Sequence, residues 1–380
     1  MTRPKGDQLR RKSPPTYSRE TAVATAETAP RGIQDTMFNV FMARALYVVT
    51  SLGIPDLLSD GARSCRTLAD KTGVRADSLH QVLRAVASTG VLCTVPVRGA
   101  GTGDGNKDKD GEGDKDGRAY ALTPIGETLC TGHPSGTRDM VLTLQGPIWD
   151  ALTVLPQRLT TERTGTEIAL GLPWFDYLRQ RPDRGAAFDR MMIAVHGDEP
   201  EAVARAYDFS WAEHVTDVGG GVGTLLLAVL QEHPHLSGVL FDLPEGAEHA
   251  REYIEASGMA DRCVTDSGSF FDAVPPGSDA YLLSHILHNC DEDSCLRILR
   301  SCAAAMSPRS RLLVVEMVLP SGDEPHPGKM LDLAMVTLTT GRERTAQEYE
   351  VLLARAGLRL REVVPTESAV SVLEAVLETA

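Results

Sequence analysis

One short segment constrains the fold of this chain more than any other. Residues 215–223 read VTDVGGGVG and join an apolar stretch to a helical one at 224–230. Glycines permit a tight turn and a close ligand approach, because they carry no Cβ. The dinucleotide spacing GxGxxG fails, since its third glycine would fall on Thr224 or Leu226. Asp217 would also repel a pyrophosphate. The segment predicts a strand–turn–helix unit for a cationic ligand, or a tight turn that binds nothing.

A second acidic residue supports the ligand interpretation. Residues 236–243 read LSGVLFDL, a strand that ends at Asp242. An acid about 20 residues beyond the glycine turn is where a βαβ unit places the acceptor for a ribose hydroxyl. S-adenosylmethionine (SAM) combines a ribose with an ammonium and a sulfonium group, so it fits both acids. The alternative for Asp242 is a helix cap or a turn residue before Pro244.

Strands and helices alternate through the rest of the C-terminal half. The predicted strands are 215–218, 237–241, 263–266, 280–287, 311–316, 358–364 and 370–377. This alternation predicts an α/β domain with a mostly parallel, seven-stranded sheet covered on both faces. Ligands in such sheets bind beyond the carboxyl ends of the strands. Asp217, Asp242, His288 and Glu316 lie at or near those ends.

The N-terminal part predicts a small helical domain over 34–145, after a disordered tail at 1–33. A helix at 37–52 ends at Gly53, and residues 66–92 form two helices with Ser78 as the N-cap of the second. Residues 91–97 and 119–122 then pair as a hairpin. This is a winged-helix plan, which raises DNA binding as an alternative.

DNA binding fits the charges poorly. The second of these helices offers only His80 and Arg84 to bases, and the chain has a net charge of −14. Nucleic-acid binding depends on neutralising phosphates with basic side chains. We therefore expect no nucleic-acid partner.

Residues 99–117 form a Gly/Asp/Lys-rich insertion that cannot bury enough apolar surface to become ordered. From Asn106 it partly mimics an EF-hand loop, but the twelfth position is Gly117 and not a glutamate. The seven cysteines show no metal-ligand spacing and are expected to be thiols in a reducing cytoplasm. No apolar run is long enough for a membrane span, and no secretory signal is found.

Residues 146–211 predict a helical connector rich in aromatic residues and methionines, among them Trp174, Phe188 and Met192. Such side chains line pockets for flat apolar ligands. The alternative is an ordinary core between helices.

An ordered set of motifs carries a family resemblance. The chain from about residue 34 resembles the class I SAM-dependent small-molecule O-methyltransferases, both the plant caffeate-type enzymes and their bacterial relatives that modify aromatic polyketides. The matching segments are DVGGGVG (217–223), FDLP (241–244), GSFF (268–271), LSHILHNCDED (283–293), VVEMVLP (314–320), MLDLAM (330–335) and GRERT (341–345).

The resemblance implies a Rossmann-like SAM-methyltransferase domain at 212–380 and a winged-helix dimerisation domain before it, hence a homodimer. It also implies how SAM is held. The cofactor-binding residues would be Asp217, Gly219, Gly221, Asp242, Leu243, Ser269, Phe270 and Ser284. The family usually has aspartate at Ser269, and Asp-Trp at Asn289-Cys290.

His288 falls on the family's catalytic histidine. A phenol has a pKa of about 10, so a neutral imidazole can take its proton as the oxygen attacks the methyl group. Glu316 and Glu343 match the family's supporting acids, and His285 and Met335 are expected to line the acceptor pocket. The donor methyl is already activated, so no metal is expected.

The predicted function is SAM-dependent O-methylation of a hydroxyl on a small aromatic metabolite, polyketide-like or phenolic. Two alternatives stay open. A relative with this fold could bind SAM yet hydroxylate or decarboxylate a polyketide, although such an enzyme has no need of the base. An amine acceptor could use the same base, which would give an N-methyltransferase.

Overall fold

The computed structural model describes residues 29–96 and 118–378. The predicted tail over residues 1–28, the insertion at 99–117 and its partial EF-hand pattern lie outside the described residues. No helix among the described residues is long and apolar enough to cross a membrane.

The N-terminal region is helical and carries one antiparallel hairpin. Its elements are α1 (Ala29–Ser51), α2 (Ile54–Leu58), α3 (Cys65–Thr72), α4 (Ala76–Ala87), β1 (Leu92–Pro96), β2 (Arg118–Leu122), α5 (Pro124–Glu127) and α6 (Thr137–Leu144). Pairing of Val95 with Ala119 confirms the predicted hairpin.

Two predictions in this region are wrong in detail. Helix α1 begins at Ala29, so residues 29–33 belong to a helix and not to a tail. Arg75, with an extended backbone, is the N-cap of α4, and no side chain caps that end. Ser78 therefore lies inside the first turn, because the helix starts two residues before it.

The connector is confirmed as helical. It consists of α7 (Pro147–Thr153), α8 (Leu155–Arg158), α9 (Gly165–Leu170), α10 (Trp174–Arg179), α11 (Pro182–His196) and α12 (Glu199–Ala206).

The C-terminal half alternates strands and helices, as predicted. Its strands are β3 (His214–Val218), β4 (Ser237–Asp242), β5 (Cys263–Ser267), β6 (Ala280–Ser284), β7 (Arg311–Glu316), β8 (Val318–Leu319), β9 (Arg344–Thr345), β10 (Leu358–Pro365) and β11 (Ser371–Leu377). Its helices are α13 (Thr224–Glu232), α14 (Pro244–Ser257), α15 (Glu292–Ala305), α16 (Pro327–Leu338) and α17 (Ala346–Arg355), with a 3₁₀ turn at Leu287–Asn289.

The main sheet has seven strands in the order β10-β11-β7-β6-β3-β4-β5. Strands β5, β4, β3, β6 and β7 run parallel, and β11 is antiparallel to both of its neighbours. This confirms the predicted α/β class and mostly parallel sheet. Alternate residues of β6 enter opposite cores: Leu282 packs on one face, whereas Tyr281 and Leu283 pack on the other. Helices therefore cover both faces, and in sheets of this kind ligands bind at the edge where the parallel strands end.

The predicted strand 280–287 is too long, since β6 ends at Ser284. His285 has a φ of 52°, and it is the only non-glycine residue of the described chain with a positive φ. Extended backbone cannot continue through that conformation. The chain turns at once into the 3₁₀ segment that carries His288.

Candidate active site

The glycine turn lies at the carboxyl end of β3, in close contact with the next segments of the site. Gly219 has a φ of 73°, and a Cβ built there would lie 2.7 Å from Cδ1 of Ile286 and 3.2 Å from Cε1 of Phe270. Gly221 has a φ of 56° and faces open space. The first glycine is therefore required by packing, and the second leaves backbone accessible to a ligand.

Asp217 is buried directly beneath this turn. Its Oδ1 has no hydrogen-bond partner among the described residues. Burial raises the pKa of Asp217 to about 7, and the nearby Asp242 adds to the rise. A buried carboxylate oxygen without a partner is costly unless a donor or a cation reaches it. The site therefore suits a positively charged ligand.

Asp242 links the glycine turn to the end of β4. Its Oδ2 accepts a hydrogen bond of 2.8 Å from the backbone N–H of Gly221, and its Oδ1 accepts one of 2.6 Å from Leu243. Burial raises the pKa of Asp242, and these two N–H groups oppose the rise. A carboxylate has about four lone-pair positions, so capacity remains for the hydroxyls of a ribose.

Phe270 and Ser269 follow β5 at the same edge of the sheet. The Oγ of Ser269 accepts a 3.2 Å hydrogen bond from the N–H of Phe271, so this serine organises its own turn. The Phe270 ring lies against the Gly219 turn. Ser284 ends β6 and is half-buried. Phe270 therefore borders the glycine turn, and contact of Ser269 and Ser284 with an adenosine group stays a prediction.

His288 is buried between two glutamates. Its Nδ1 lies 2.8 Å from Oε1 of Glu343 and 3.4 Å from Oε2 of Glu316. Glu316 also accepts hydrogen bonds from the N–H groups of Leu287 and His288 at 3.0 and 3.3 Å, which fixes the 3₁₀ turn. With both acids on the Nδ1 side, the Nε2 edge of the ring is left for other partners.

Burial decides the protonation states here. It lowers the pKa of His288 to about 4, which outweighs the opposing effect of Glu316. Burial also raises the pKa of Glu343 to about 7 and raises that of Glu316. His288 is consequently a neutral imidazole near pH 7, and the ionised form of Glu343, which predominates above about pH 7, accepts the hydrogen bond from Nδ1–H. The Nε2 atom then has a lone pair that can accept a proton.

Residues that the sequence analysis did not single out hold this cluster in place. Asp332 accepts a 2.9 Å hydrogen bond from the N–H of Glu343. The buried Arg344 donates a 3.2 Å hydrogen bond to the carbonyl of Leu287. A Cβ at Gly341 would collide with the backbone of His288, so the loop approaches this closely only because Gly341 is a glycine. The GRERT and MLDLAM motifs were signals for these roles.

A second histidine, which is largely but not fully buried, lies beside the first. His285 Nε2 is 2.7 Å from Oε1 of Glu199, and its ring centroid is 5.1 Å from that of His288. His196 stacks on His285 at 4.7 Å with an interplanar angle of 13°. Glu199 begins α12 and His196 ends α11, so the connector contributes directly to this side of the site.

The other predicted pocket residues lie in two parts of the structure, the connector and helix α16. Trp174, Phe188 and Met192 belong to one apolar cluster of the connector, where Trp174 is buried and meets Phe188 edge-on at 5.5 Å. Met335 is buried on α16. Contact of these residues with an acceptor stays a prediction.

Two groups of side chains in the described residues could offer atoms to a metal. One is His196, Glu199 and His285, and the other is His285, His288 and Glu316. The Nε2 of His285 is hydrogen-bonded to Glu199, and the Nδ1 of His288 to Glu343. These bonds already engage two of the metal-ligand atoms, and the predicted absence of a metal stays a prediction.

The sequence matches two family models and resembles several known proteins. Residues 154–359 match the family model of the O-methyltransferase domain, and residues 34–132 match that of the O-methyltransferase dimerisation domain. A phenazine O-methyltransferase of Lysobacter antibioticus is 36% identical over 335 residues, which cover 88% of this chain and 92% of the relative.

Two further relatives bear on the reaction. The aclacinomycin 10-hydroxylase of Streptomyces purpurascens is 35% identical over 327 residues, covering 85% of this chain and 82% of the relative. A solved O-methyltransferase from neocarzinostatin biosynthesis, in complex with SAM and 2-hydroxy-5-methyl naphthoic acid, aligns with a TM-score of 0.72 at 32% identity. That alignment covers 88% of this chain and 95% of the other.

Proposed function

The chain belongs to the SAM-dependent O-methyltransferase family, and on that premise we propose that it methylates a hydroxyl of an aromatic metabolite with His288 as general base. The observation that carries the assignment of the base is the neutral His288 ring, held at Nδ1 by Glu343 at 2.8 Å. An aromatic acceptor is supported by the phenazine and naphthoic acid named for the relatives.

The residues of the glycine turn fit SAM. Asp217 offers a buried, unpartnered carboxylate oxygen to the cationic part of the cofactor, and Asp242 offers lone pairs to the ribose hydroxyls. Gly219, Gly221, Leu243, Ser269, Phe270 and Ser284 complete the proposed cofactor-binding set. When bound, SAM supplies a methyl group on a sulfonium, which is already activated for displacement.

The protein's own chemical task is then to position the acceptor and remove a proton. His288 Nε2 takes the proton of the acceptor hydroxyl as the oxygen attacks the methyl carbon, and Glu343 stabilises the imidazolium that forms. Glu316 fixes the turn through Leu287 and His288, so it positions the base. Orientation contributes more to the rate than the base does, for which about 10²–10⁴-fold is typical.

Trp174, Phe188, Met192, His285 and Met335 are proposed to face the acceptor. Their aromatic and thioether surfaces suit a flat ring, and His285 adds a polar contact. We assign residues 146–211 to the connector and 212–380 to the SAM-binding domain.

We also propose that the chain forms a homodimer through residues 34–145, which the dimerisation-domain match supports. Its partners would be a second copy and the small aromatic substrate, not nucleic acid. Thiols at Cys290, Cys295 and Cys302 fit a reducing cytoplasm.

One observation favours a second candidate. A hydroxylase is among the relatives, so this fold also carries chemistry other than methyl transfer. The buried His288 with its two acids favours methylation, because hydroxylation does not need a base at that position.

The test is transfer of labelled methyl from SAM into a pool of phenols, hydroxynaphthoates, hydroxyquinones and aromatic amines, with products identified by mass. An O-methylated product supports the proposal. Label on nitrogen would make the protein an N-methyltransferase. A hydroxylated or decarboxylated product without label would favour the second candidate.

A further inference from the structure

We propose that His285, ion-paired with Glu199, is a charged hydrogen-bond donor that recognises a second oxygen of the acceptor, a carbonyl or carboxylate next to the hydroxyl to be methylated. The inference rests on the proposed function, since it names the acceptor class of the same site. His285 and Glu199 lie on the side of His288 where the connector helices α11 and α12 approach.

The pairing of His285 with Glu199 is short and buried. The Nε2–Oε1 distance is 2.7 Å, and the two side chains are 9% and 10% exposed. Burial alone would lower the pKa of His285, but the hydrogen bond and charge of Glu199 outweigh it, and the net direction is upward. The pKa of Glu199 falls: burial raises it, but the hydrogen bond and charge of His285 outweigh that. The charged form is therefore favoured at His285, whereas His288 is neutral near pH 7.

The backbone holds this ring in a fixed place. His285 has a positive φ of 52°, a strained conformation for a residue with a Cβ. Its N–H donates to the carbonyl of Val315 at 3.1 Å, and its carbonyl accepts 2.8 Å from Nδ2 of Asn289. An aspartate at position 289, the usual family residue, has no such donor. The side-chain amide of Asn289 thus stabilises the turn that carries His285.

One edge of the His285 ring is left over. Nε2 is engaged by Glu199, and among the described residues no hydrogen bond engages Nδ1. In the charged form Nδ1 carries a hydrogen, and neither Glu316 nor Glu343, whose charges also raise the pKa of His285, forms a hydrogen bond with it. The ring stands 5.1 Å from His288, on the same turn after β6.

A base and a charged donor placed side by side suit two neighbouring oxygens on one aromatic ring. His288 would face the hydroxyl that loses its proton, and His285 would face a carbonyl or carboxylate beside it. His196 stacks on His285, and burial lowers the pKa of His196 to about 4. That neutral ring therefore packs against His285 without competing for the anionic group.

The experiment measures binding of three probes to the full chain in the presence of S-adenosylhomocysteine, by calorimetry. The probes are 1-hydroxy-2-naphthoate, 1-hydroxy-2-acetonaphthone and 1-naphthol, which lacks the second oxygen. A charged hydrogen bond predicts that the wild type binds the first two about 10-fold or more tightly than 1-naphthol. His285→Gln should bring this ratio close to one, and Glu199→Gln should lower it. His235→Gln, on an exposed histidine near the other end of the sheet, should leave it unchanged.

A wild-type ratio of one, failure to bind any probe, or a ratio that His285→Gln leaves intact would overturn the inference. Thermal denaturation identifies any variant that fails to fold, and the Glu199→Gln result then decides. Binding is measured without methyl transfer. A chain with the predicted ratio but no transfer would contradict the proposed function alone, and methyl transfer with a ratio of one would contradict only this inference.

Discussion

His288 and Glu343 are 55 residues apart in the chain, yet Nδ1 of one lies 2.8 Å from Oε1 of the other. His288 follows β6 directly. The loop that carries Glu343 comes close to it because Gly341, in the same loop, packs against the backbone of His288. The contact with Glu343 engages Nδ1 of His288, so Nε2 is the nitrogen to which we assign the acceptor proton. It is the basis of the first two predictions.

Replacing the base should separate binding from chemistry. We expect His288→Ala to lower kcat by about 10²–10⁴-fold, because it removes the proton acceptor and leaves the glycine turn intact. The Kd of S-adenosylhomocysteine, measured by calorimetry, should change less than about threefold. His235→Ala serves as the control, and full turnover by His288→Ala would show that positioning alone drives the reaction.

The pH dependence should report Glu343. Burial raises its pKa to about 7, so the carboxylate that accepts Nδ1–H is lost as pH falls through that value. At saturating SAM, kcat should therefore rise between about pH 6 and 8. Glu343→Gln keeps a hydrogen-bond acceptor without the titration, so its profile should be flat there, with kcat about 10- to 100-fold lower. A rise that persists in this variant would assign the titration to another group.

Asp242 should govern cofactor affinity. In Asp242→Asn the amide oxygen can still accept from one N–H, but the NH2 that replaces the second oxygen cannot accept from the other N–H or from a ribose hydroxyl. We expect the Kd of SAM to rise about 10- to 100-fold, with a smaller effect on kcat at saturation. Asp266→Asn, on the exposed end of β5, is the matched control. An equal loss in both variants would argue against a specific ribose contact.

We expect the ionised carboxylate of Asp217 to lower the stability of the ligand-free protein and to favour the binding of SAM. Its pKa is raised from 3.8 to about 7, so ionisation in the folded state costs on the order of 4 kcal/mol. The sign follows from proton linkage: stability is highest below the unfolded pKa and falls as pH rises toward 7. At pH 8 and without ligand, Asp217→Asn should melt at a higher temperature than the wild type. Addition of SAM should raise the melting temperature less in the variant, and an unchanged SAM effect would contradict the assigned role.

Most of the sheet could be predicted from the sequence because most of its strands are short apolar runs, and β3, β4 and β7 end at or next to a glycine or an acidic residue. The glycine turn at 219–223 and the strand end at Asp242 were identified from local patterns. In each case neighbouring residues in the chain determine the structure. The local pattern is then sufficient.

Long-range contacts of polar groups could not be predicted in this way. Glu199 looks like an ordinary first-turn acid of α12, and nothing near it in sequence indicates a histidine 86 residues away. The prediction extended strand β6 to residue 287, beyond its actual end at Ser284, because residues 285–287 continue an apolar pattern. The positive φ of His285 arises from tertiary packing, which overrides that local preference.

The last prediction concerns the apolar face of α1. Met37 and Phe41 are spaced four residues apart, so they share one face, and the rings of Phe38 and Phe41 lie 6.4 Å apart. In a single protomer Met37, Phe38 and Phe41 are 55%, 62% and 69% exposed. Such a patch, inside the region that matches the dimerisation domain, is expected to be covered by a second copy.

The double substitution Phe38→Asp with Phe41→Asp should halve the mass measured by light scattering, because it places two charges per protomer at the buried interface. Val351→Asp, on an exposed valine of α17, should leave the mass unchanged. A wild type that is monomeric at micromolar concentration, or a double variant that stays dimeric, would contradict this placement of the interface.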